Sequence, residues 1–282
     1  EKKKIAIIGH GYVGQSVADF FKEKFHVFVH DPAKFKEEKF DSQLGMTVGA
    51  SFDTVSACDL AIVCVPTPMS ENGSVDTSIV EGVINAIKTP LIMIRSTVPP
   101  GTTDGLKQKT GRRIVFSPEL IGEGKYPVPY WKDYPHPTDM RYHIFTVFGG
   151  DKADTSEALQ FFKKVAGAEM RYIQTTTRTA ELFKYTDNAF LATKVTFVNE
   201  LFEISKAFGV DYDELREIWL LDGRVGRSHT AVHPDARGFG GKCLPKDVNG
   251  LVKASENAGY EPKLLKSVLS SNEIFRKDQG KS

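Results

Sequence analysis

The sequence predicts an α/β fold in which an N-terminal doubly wound sheet is followed by an all-helical central domain. Short apolar runs alternate with segments of helical spacing through the first half of the chain, and a glycine-rich loop follows the first run. From Thr177 onward, long helical patterns replace this alternation. The 282 residues are enough for two domains, which we predict at residues 1–175 and 176–282.

The first elements have the order of a dinucleotide-binding unit. Residues 4–8 form an apolar run typical of a strand buried on both faces, and the next six residues are Gly9-His10-Gly11-Tyr12-Val13-Gly14. A segment of helical spacing follows, then a second predicted strand at residues 25–30 that ends at Asp31. A strand, a G-x-G-x-x-G loop, a helix, a strand and an acid in this order are typical of a Rossmann-type site.

Each position of the glycine loop has a physical task in such a site. Gly9 allows the tight turn, Gly11 allows a pyrophosphate to approach the backbone, and Gly14 allows the helix to pack on the strand. Tyr12 and Val13 belong to the loop that leads into the predicted helix, whose N-terminus offers free N–H groups to phosphate. The loop therefore predicts dinucleotide binding.

Asp31 and Lys34 bear on which dinucleotide is bound. A carboxylate at Asp31 accepts hydrogen bonds from the adenosine ribose hydroxyls, which favours NAD over NADP. Lys34 lies three residues further on, and its positive charge leaves some use of NADP open.

Later apolar runs end in polar residues that we expect at one edge of the sheet. The predicted strands at residues 59–65, 90–95 and 113–116 are followed by three candidate site residues, Thr67, Thr97 and Glu119. Ligands gather at the carboxyl ends of parallel strands, so Thr67 and Thr97 are candidate cofactor contacts. Each could instead be an ordinary turn residue or helix cap. Two further strands are predicted at residues 144–148 and 170–173, the last at the sheet edge.

Between these strands, residues 126–137 are rich in proline and aromatic side chains, which excludes a continuous helix or a central strand. The stretch suits either a lid or a packed surface loop, and the sequence leaves both open.

The second half begins with a long helix that ends near Gly209, a predicted C-cap. Glu181, Lys184 and Asn188 are spaced so that they share one helix face. A lysine and an asparagine that point into a site stabilise a developing oxyanion, although an ordinary polar stripe has the same spacing. Further helices are predicted at three places: residues 211–221, 247–258 and 261–279.

A glycine-flanked basic turn and a cysteine loop lie between these helices. In the turn, Arg224 and Arg227 suit phosphate contacts or simple solvation. The loop is Gly238-Phe239-Gly240-Gly241-Lys242-Cys243-Leu244-Pro245-Lys246-Asp247. Pro245 favours the first turn of a helix, which puts Cys243 at or just before its N-terminus, where a thiolate is stabilised. The alternative is a small buried cysteine in a tight loop.

Composition excludes several classes of partner and site. The net charge of +1 gives no electrostatic footprint for nucleic acid or an anionic membrane, and no apolar run approaches a membrane span or a signal peptide. The cysteines, Cys58, Cys64 and Cys243, form neither a disulfide framework nor a metal-ligand spacing, and the first two have the setting of core residues. We therefore expect no metal and a reducing, cytoplasmic environment.

Taken together, these motifs resemble the UDP-glucose 6-dehydrogenase family, within the nucleotide-sugar dehydrogenases, along nearly the whole chain. The cysteine loop is the most specific of them and the glycine loop the least. The resemblance is carried, in chain order, by Gly9-x-Gly11-x-x-Gly14, Val65-Pro66-Thr67-Pro68, Ser96-Thr97-Val98-Pro99, Pro118-Glu119 with Glu123, Lys184 with Asn188, the cysteine loop and Ser270-Ser271-Asn272.

The resemblance implies oxidation of the sugar C6 alcohol of UDP-glucose to a carboxylate, with two hydrides passed in succession to NAD. It implies that Cys243 attacks the intermediate aldehyde, that Lys184 and Asn188 stabilise oxyanions and contact substrate, and that Asp247 orients water or Lys184. A homodimer through the central helices is implied as well. These roles agree with the chemistry expected of a covalent thiol intermediate.

Further roles follow from the same resemblance. Glu119, with Thr97, would assist proton transfer and activate water, and Glu119 would also contact substrate. Glu123 would lie near the nicotinamide. The remaining contacts to the sugar nucleotide would come from Arg224, Phe239 and Gly240.

The chain departs from the family at its end, because family members carry a further α/β domain that supplies much of the nucleotide site. A truncated chain, a naturally short form and half of a two-chain system remain open. So do a GDP-mannose or UDP-N-acetylhexosamine dehydrogenase, and a dinucleotide-binding protein without turnover. Hydroxyacid and 6-phosphogluconate dehydrogenases share the predicted architecture but need no nucleophilic cysteine.

Overall fold

A computed structural model describes residues 2–121 and 139–277. The chain divides into two compact units, the first made of Glu1–Pro68 and Asp76–Lys184, the second of Met69–Val75 and Tyr185–Ser282. The division falls inside a continuous helix, so the domain boundary that we placed after residue 175 stays a prediction.

The first unit is built on one sheet, to which the described residues contribute nine strands in the order β3-β4-β2-β1-β5-β6-β7-β8-β9. In chain order they are β1 (Lys4–Ile8), β2 (His26–His30), β3 (Lys39–Asp41), β4 (Met46–Val48), β5 (Leu60–Val63), β6 (Ile92–Ile94), β7 (Ile114–Phe116), β8 (Phe145–Gly149) and β9 (Arg171–Thr175). β9 lies at the sheet edge, as its sequence predicted.

The sheet is parallel at its centre and mixed at its sides. β1 pairs with β2 in the register Lys4↔His26, and with β5 in the register Ile5↔Leu60, both parallel. β3 pairs antiparallel with β4, and β7 pairs antiparallel with β8. The sequence did not predict β3 and β4, because their short, partly polar segments lack the apolar run that marks a buried strand.

Helices cover both faces of this sheet: α1 (Tyr12–Phe21), α2 (Phe52–Ser56), α3 (Ser78–Ala86), α4 (Thr102–Thr110) and α5 (Lys152–Ala166). Alternate residues of the strands enter two separate cores. One core includes Ile5, Phe21 and Phe162, and so joins the sheet to α1 and α5. The other includes Ile8, Ile84 and Leu106, and so joins it to α3 and α4. The predicted doubly wound arrangement is confirmed.

The second unit is helical in its described residues. Helix α6 (Thr177–Ala207) begins in the first unit and continues into the second, and three more helices follow it: α7 (Tyr212–Trp219), α8 (Cys243–Asn257) and α9 (Lys263–Lys277). Asp211 caps α7 as predicted, because its carboxylate accepts the Glu214 N–H. Helix α8 begins four residues earlier than we predicted, at Cys243 itself.

Two apolar clusters hold the second unit together. Ala189 and Ala192 of α6, Val248 of α8 and Val268 of α9 pack around Phe239. A smaller cluster joins α6 to α7. Among the described residues, no helix combines the length and apolar character needed to cross a membrane.

Candidate active site

The glycine loop between β1 and α1 has the shape that a dinucleotide requires. Gly9 has φ of +88°, and a Cβ on it would lie 2.7 Å from the Cys64 carbonyl oxygen. A Cβ on Gly14 would lie 1.9 Å from the Gly9 carbonyl oxygen, so only glycine allows α1 to pack here. A Cβ on Gly11 would meet no described atom within 4 Å. Gly11 thus faces open space at the start of α1, as a pyrophosphate site needs.

Asp31 lies at the end of β2, beside this loop. Its carboxylate accepts the His10 N–H at 2.8 Å and the Ala33 and Lys34 N–H groups at 3.2 Å. The Lys34 ammonium reaches the His10 carbonyl at 2.5 Å. Both candidate ribose residues therefore contact the glycine loop, and a carboxylate with about four acceptor positions retains capacity for a ligand hydroxyl.

The loops that follow β5 and β6 are joined through Thr67 and Thr97. The Thr67 hydroxyl donates to the Thr97 carbonyl at 2.8 Å, and the Ser96 hydroxyl donates to the Val65 carbonyl at 2.7 Å. Thr67 is buried and Thr97 half-buried. The two candidate threonines thus lie together at the carboxyl ends of neighbouring strands.

Glu119 and Lys184 form a buried ion pair within the first unit. The Lys184 Nζ and Glu119 Oε1 atoms are 2.7 Å apart, and only 6% and 11% of the two side chains are exposed. Glu119 also accepts the Ile121 N–H at 2.8 Å. Burial opposes ionisation of Glu119, but Lys184, the Ile121 N–H and Arg95 together hold its pKa below the ordinary glutamate value. The carboxylate of Glu119 is therefore kept ionised beside the Lys184 ammonium, away from solvent.

Glu181 has a role that the sequence did not indicate. We placed it on one helix face with Lys184 and Asn188, but its fully buried carboxylate accepts the Gly101 N–H at 2.6 Å and the Thr103 N–H at 2.8 Å. These groups begin α4, whose N-cap is a glycine without a capping side chain. A glycine at the N-cap is the sequence signal that could have indicated this role. It leaves the first N–H groups of α4 without a side-chain acceptor, so an acceptor must come from elsewhere in the chain. Burial raises the pKa of Glu181.

In the second unit, Asn188 and Asp247 contact each other directly. The Asn188 amide donates to Asp247 Oδ2 at 2.5 Å, and Lys246 Nζ lies 2.6 Å from Asp247 Oδ1. Asp247 is 1% exposed. Cys243 is the first residue of α8, one helical turn before Asp247, so both lie on one face of that helix. The structure thus groups three of the candidate catalytic residues around the start of α8.

The remaining candidate substrate residues differ in their surroundings. Arg224 is 89% exposed and pairs with Asp222 in its own turn at 2.6 Å. Phe239 is buried, and Gly240 lies against the Arg276 guanidinium, which would be 2.8 Å from a Cβ there. Glu123 and the proline-aromatic stretch 126–137 lie outside the described residues.

The other two cysteines lack the setting of nucleophiles. All three cysteines lie in the described part of the chain and none is in a disulfide. Burial raises the pKa of Cys58 and of Cys64 to about 12, which keeps both thiols protonated at neutral pH. These raised pKa values agree with the core setting that the sequence indicates for both residues. Residues 2–121 and 139–277 contain no group of three or more His, Cys, Asp or Glu side chains suited to a metal ion.

Two family models match the chain. Residues 16–133 match the NAD binding domain of the UDP-glucose/GDP-mannose dehydrogenase family, and residues 178–274 match the central domain of the same family. The first match begins just after the glycine loop and contains Asp31, Thr67, Thr97 and Glu119. The second contains Lys184, Asn188, Cys243 and Asp247.

Several similar full-length proteins and solved structures are nucleotide-sugar dehydrogenases as well. UDP-glucose 6-dehydrogenase AglM of Haloferax volcanii is 30% identical over 96% of this chain and 69% of its own length. GDP-mannose 6-dehydrogenase of Pseudomonas savastanoi pv. phaseolicola is also 30% identical, over 95% of this chain and 68% of its own length. The solved structure of a UDP-glucose dehydrogenase from Pyrobaculum islandicum is similar with a TM-score of 0.82 and 28% identity, over 97% of this chain and 68% of that one.

Proposed function

Because the chain belongs to the UDP-glucose/GDP-mannose dehydrogenase family, a group of NAD-dependent nucleotide-sugar dehydrogenases, we propose that its substrate is UDP-glucose. The reaction is the four-electron oxidation of the C6 alcohol to a carboxylate, which gives UDP-glucuronate. NAD is the cofactor of this class, and the glycine loop with Asp31 fits it. When bound, the nicotinamide accepts the hydride in each of the two oxidation steps.

The residues of this chain supply the covalent chemistry between the two oxidations. The first oxidation removes a hydride and a proton from the alcohol and gives an aldehyde. The Cys243 thiolate adds to the aldehyde carbon, and the new oxyanion takes a proton to form a thiohemiacetal. Loss of a second hydride and that proton gives a thioester. Water then cleaves the C–S bond, which releases the carboxylate and restores the thiol.

The observation that carries this proposal is the position of Cys243 as the first residue of α8, one turn before the buried Asp247. A helix N-terminus stabilises the thiolate that attacks, and Asp247 with Asn188 forms a fixed polar group on the same helix end. We assign oxyanion stabilisation to Asn188 and Lys184. The Glu119–Lys184 pair relays protons, and Thr97 assists water activation.

The remaining assignments concern the ligands. We assign contact with the sugar nucleotide to Phe239, Gly240 and Arg224, and contact with the nicotinamide to Glu123. A nucleophilic thiol needs a reducing compartment, so the cytoplasm is the setting we propose.

GDP-mannose is the second candidate substrate. The observation in its favour is that GDP-mannose 6-dehydrogenases match this chain at 30% identity, the same value as AglM. The oxidation chemistry is identical for both sugars, so only the base and the sugar distinguish them.

The experiment counts reduced cofactor per sugar. Purified protein is mixed with NAD and a limiting amount of UDP-glucose, GDP-mannose or UDP-N-acetylglucosamine, and absorbance at the NADH band is followed to completion. Two NADH per UDP-glucose is the expected result. Turnover with GDP-mannose alone would reassign the substrate, and no NADH from folded protein that binds NAD would favour a binding protein without turnover.

A Cys243→Ser variant tests the covalent step directly. Without the thiol, no thioester forms, so we expect the second hydride transfer to fail while NAD binding stays unchanged. Cys58→Ser is the matched control, because this thiol is buried in the core of the first unit and has no part in the proposed reaction. Undiminished four-electron turnover by Cys243→Ser would exclude the thioester mechanism.

We also propose a homodimer through the central helix. Phe190, Phe197 and Ile204 recur every seven residues along α6, and they are 61%, 52% and 45% exposed. A stripe of large apolar side chains at heptad spacing is typical of a helix that packs against a partner helix.

A further inference from the structure

We propose that Asn272 of α9 is a positioning residue for Cys243. It holds the loop that leads into α8 by its backbone and thereby fixes where the helix, and the cysteine at its start, lie. This proposal rests on the proposed role of Cys243 as nucleophile, and it adds a residue that touches neither the substrate nor the cofactor in that role.

The Asn272 side chain makes a paired contact with one peptide unit. Its Oδ1 accepts the Phe239 N–H at 2.7 Å, and its Nδ2 donates to the Phe239 carbonyl at 3.0 Å. Asn272 is 8% exposed, so water competes little for these bonds. An amide that satisfies both backbone groups of one residue fixes that residue in position and in rotation.

The glycine before Phe239 is what permits this contact. A Cβ on Gly238 would lie 2.5 Å from Asn272 Oδ1, and the residue has φ of +69°, where a side chain is strained. The Phe239 ring is 3% exposed and packs among α6, α8 and α9. Backbone and side chain of Phe239 are therefore held at the same time.

A second asparagine holds the residues just before the loop. Asn199 Oδ1 accepts the Gly238 N–H at 3.2 Å and the Arg237 Nε–H at 2.7 Å. The Arg237 guanidinium also lies over the Phe202 ring, 4.5 Å from its centroid. The chain is thus clamped at Arg237, Gly238 and Phe239, and only three residues separate the clamp from Cys243.

So short a connection transmits the position of the clamp to the nucleophile. Gly240 and Gly241 add flexibility of their own, so without the clamp Cys243 and the first turn of α8 would lose their support from the side of the loop. Nucleophilic attack is sensitive to such shifts, because a misplacement of about 1 Å costs about a hundredfold in rate.

The test is the reactivity of Cys243 toward iodoacetamide in the full chain, followed across pH by mass spectrometry of the peptide that contains Cys243. Asn272→Leu removes both bonds at similar volume, and Asn272→Asp keeps the acceptor but loses the donor. Gly238→Ala disturbs the same contact from the other side. Ser270→Ala is the matched control, because this exposed side chain bonds only within α9.

We expect Asn272→Leu and Gly238→Ala to slow alkylation of Cys243 about tenfold or more near neutral pH and to move its pH profile toward alkaline values. The alkylation rate of Asn272→Asp should lie between those of these variants and the native protein, and Ser270→Ala should be alkylated at the native rate. Binding of NAD, measured by calorimetry, stays unchanged throughout.

Native alkylation rates and pH profile in folded Asn272→Leu would overturn the proposal. If Asn272→Leu does not fold, the same result in Asn272→Asp overturns it. This outcome is distinct from failure of the proposed function, which is judged by the NADH yield of Cys243→Ser and does not depend on the alkylation rate.

Discussion

Glu119 and Lys184 show how a buried charge is retained at the scale of single residues. Burial of either charge alone would cost free energy, but the two charges neutralise each other in an ion pair. The Ile121 N–H and the Arg95 charge further stabilise the ionised carboxylate. The pair lies at the carboxyl ends of the strands, where a ligand is expected. Charged groups buried at such a position occur at functional sites as well as in structural ion pairs.

A Lys184→Met variant tests this pair through the pH dependence of stability. The folded-state pKa of Glu119 is lowered, so the pair contributes stability above the ordinary glutamate pKa and loses it as the pH falls through the folded value. We expect Lys184→Met to lower the free energy of unfolding by about 3–5 kcal/mol near neutral pH. The deficit shrinks in acid, as measured by urea unfolding.

Lys107→Met serves as the control, because its ion pair with Asp151 lies at the surface and contributes little. A deficit for Lys184→Met that stays constant from acid to neutral pH would contradict the lowered pKa of Glu119.

Two glycines of the same loop should respond differently to alanine. Gly14→Ala places a Cβ against the Gly9 carbonyl, so we expect a loss of about 1–3 kcal/mol or more in the free energy of unfolding. Gly11→Ala meets open space and should leave stability nearly unchanged while weakening NAD binding. Thermal unfolding and calorimetry measure the two effects. If Gly11→Ala binds NAD with native affinity, the pyrophosphate does not approach this residue.

At the scale of elements, α4 depends on a residue from a distant part of the sequence. Its N-cap is Gly101 at φ of +96°, which supplies no capping oxygen, and the buried carboxylate of Glu181 on α6 fills that role. A carboxylate at a helix N-terminus also interacts favourably with the helix dipole. One acid thus joins two helices of the first unit.

Removal of this cap should weaken α4 in particular. We expect Glu181→Ala to lower the free energy of unfolding by about 1–3 kcal/mol, because two buried N–H groups lose their acceptor. Faster hydrogen exchange at Gly101 and Thr103 would locate the effect. Lys206→Ala, an exposed change on the same helix, should stay within about 0.5 kcal/mol of the native protein. Native exchange rates at the start of α4 in Glu181→Ala would disprove the cap.

At the scale of the whole molecule, the apolar stripe on α6 bears on assembly. Phe190, Phe197 and Ile204 span about 21 Å of helix at a rise of about 1.5 Å per residue. We expect the native chain to sediment as a dimer and Phe197→Glu to sediment as a monomer, since a buried charge without a partner opposes association. Lys206→Glu, on the opposite side of the helix, should remain dimeric. A dimeric Phe197→Glu would exclude this interface.

Much of the first unit could be predicted because its signals are local. The apolar runs, the glycine loop and the terminal acid Asp31 are adjacent in sequence, and their order defines the element order. The antiparallel strands β3 and β4 could not be predicted, because short polar strands depend on pairing with neighbours rather than on an apolar pattern of their own.

The candidate site was likewise predictable only in part. The sequence by itself indicated the residues to which we assign the chemistry: Cys243 after its glycine loop, and Lys184 and Asn188 one turn apart on a helix. Only the tertiary structure decided their partners: Glu119 for Lys184, Asp247 for Asn188, the start of α4 for Glu181 and the Phe239 backbone for Asn272. The physical reason is that a hydrogen bond or ion pair depends on distance in space, and these partners are 33 to 80 residues apart in the chain.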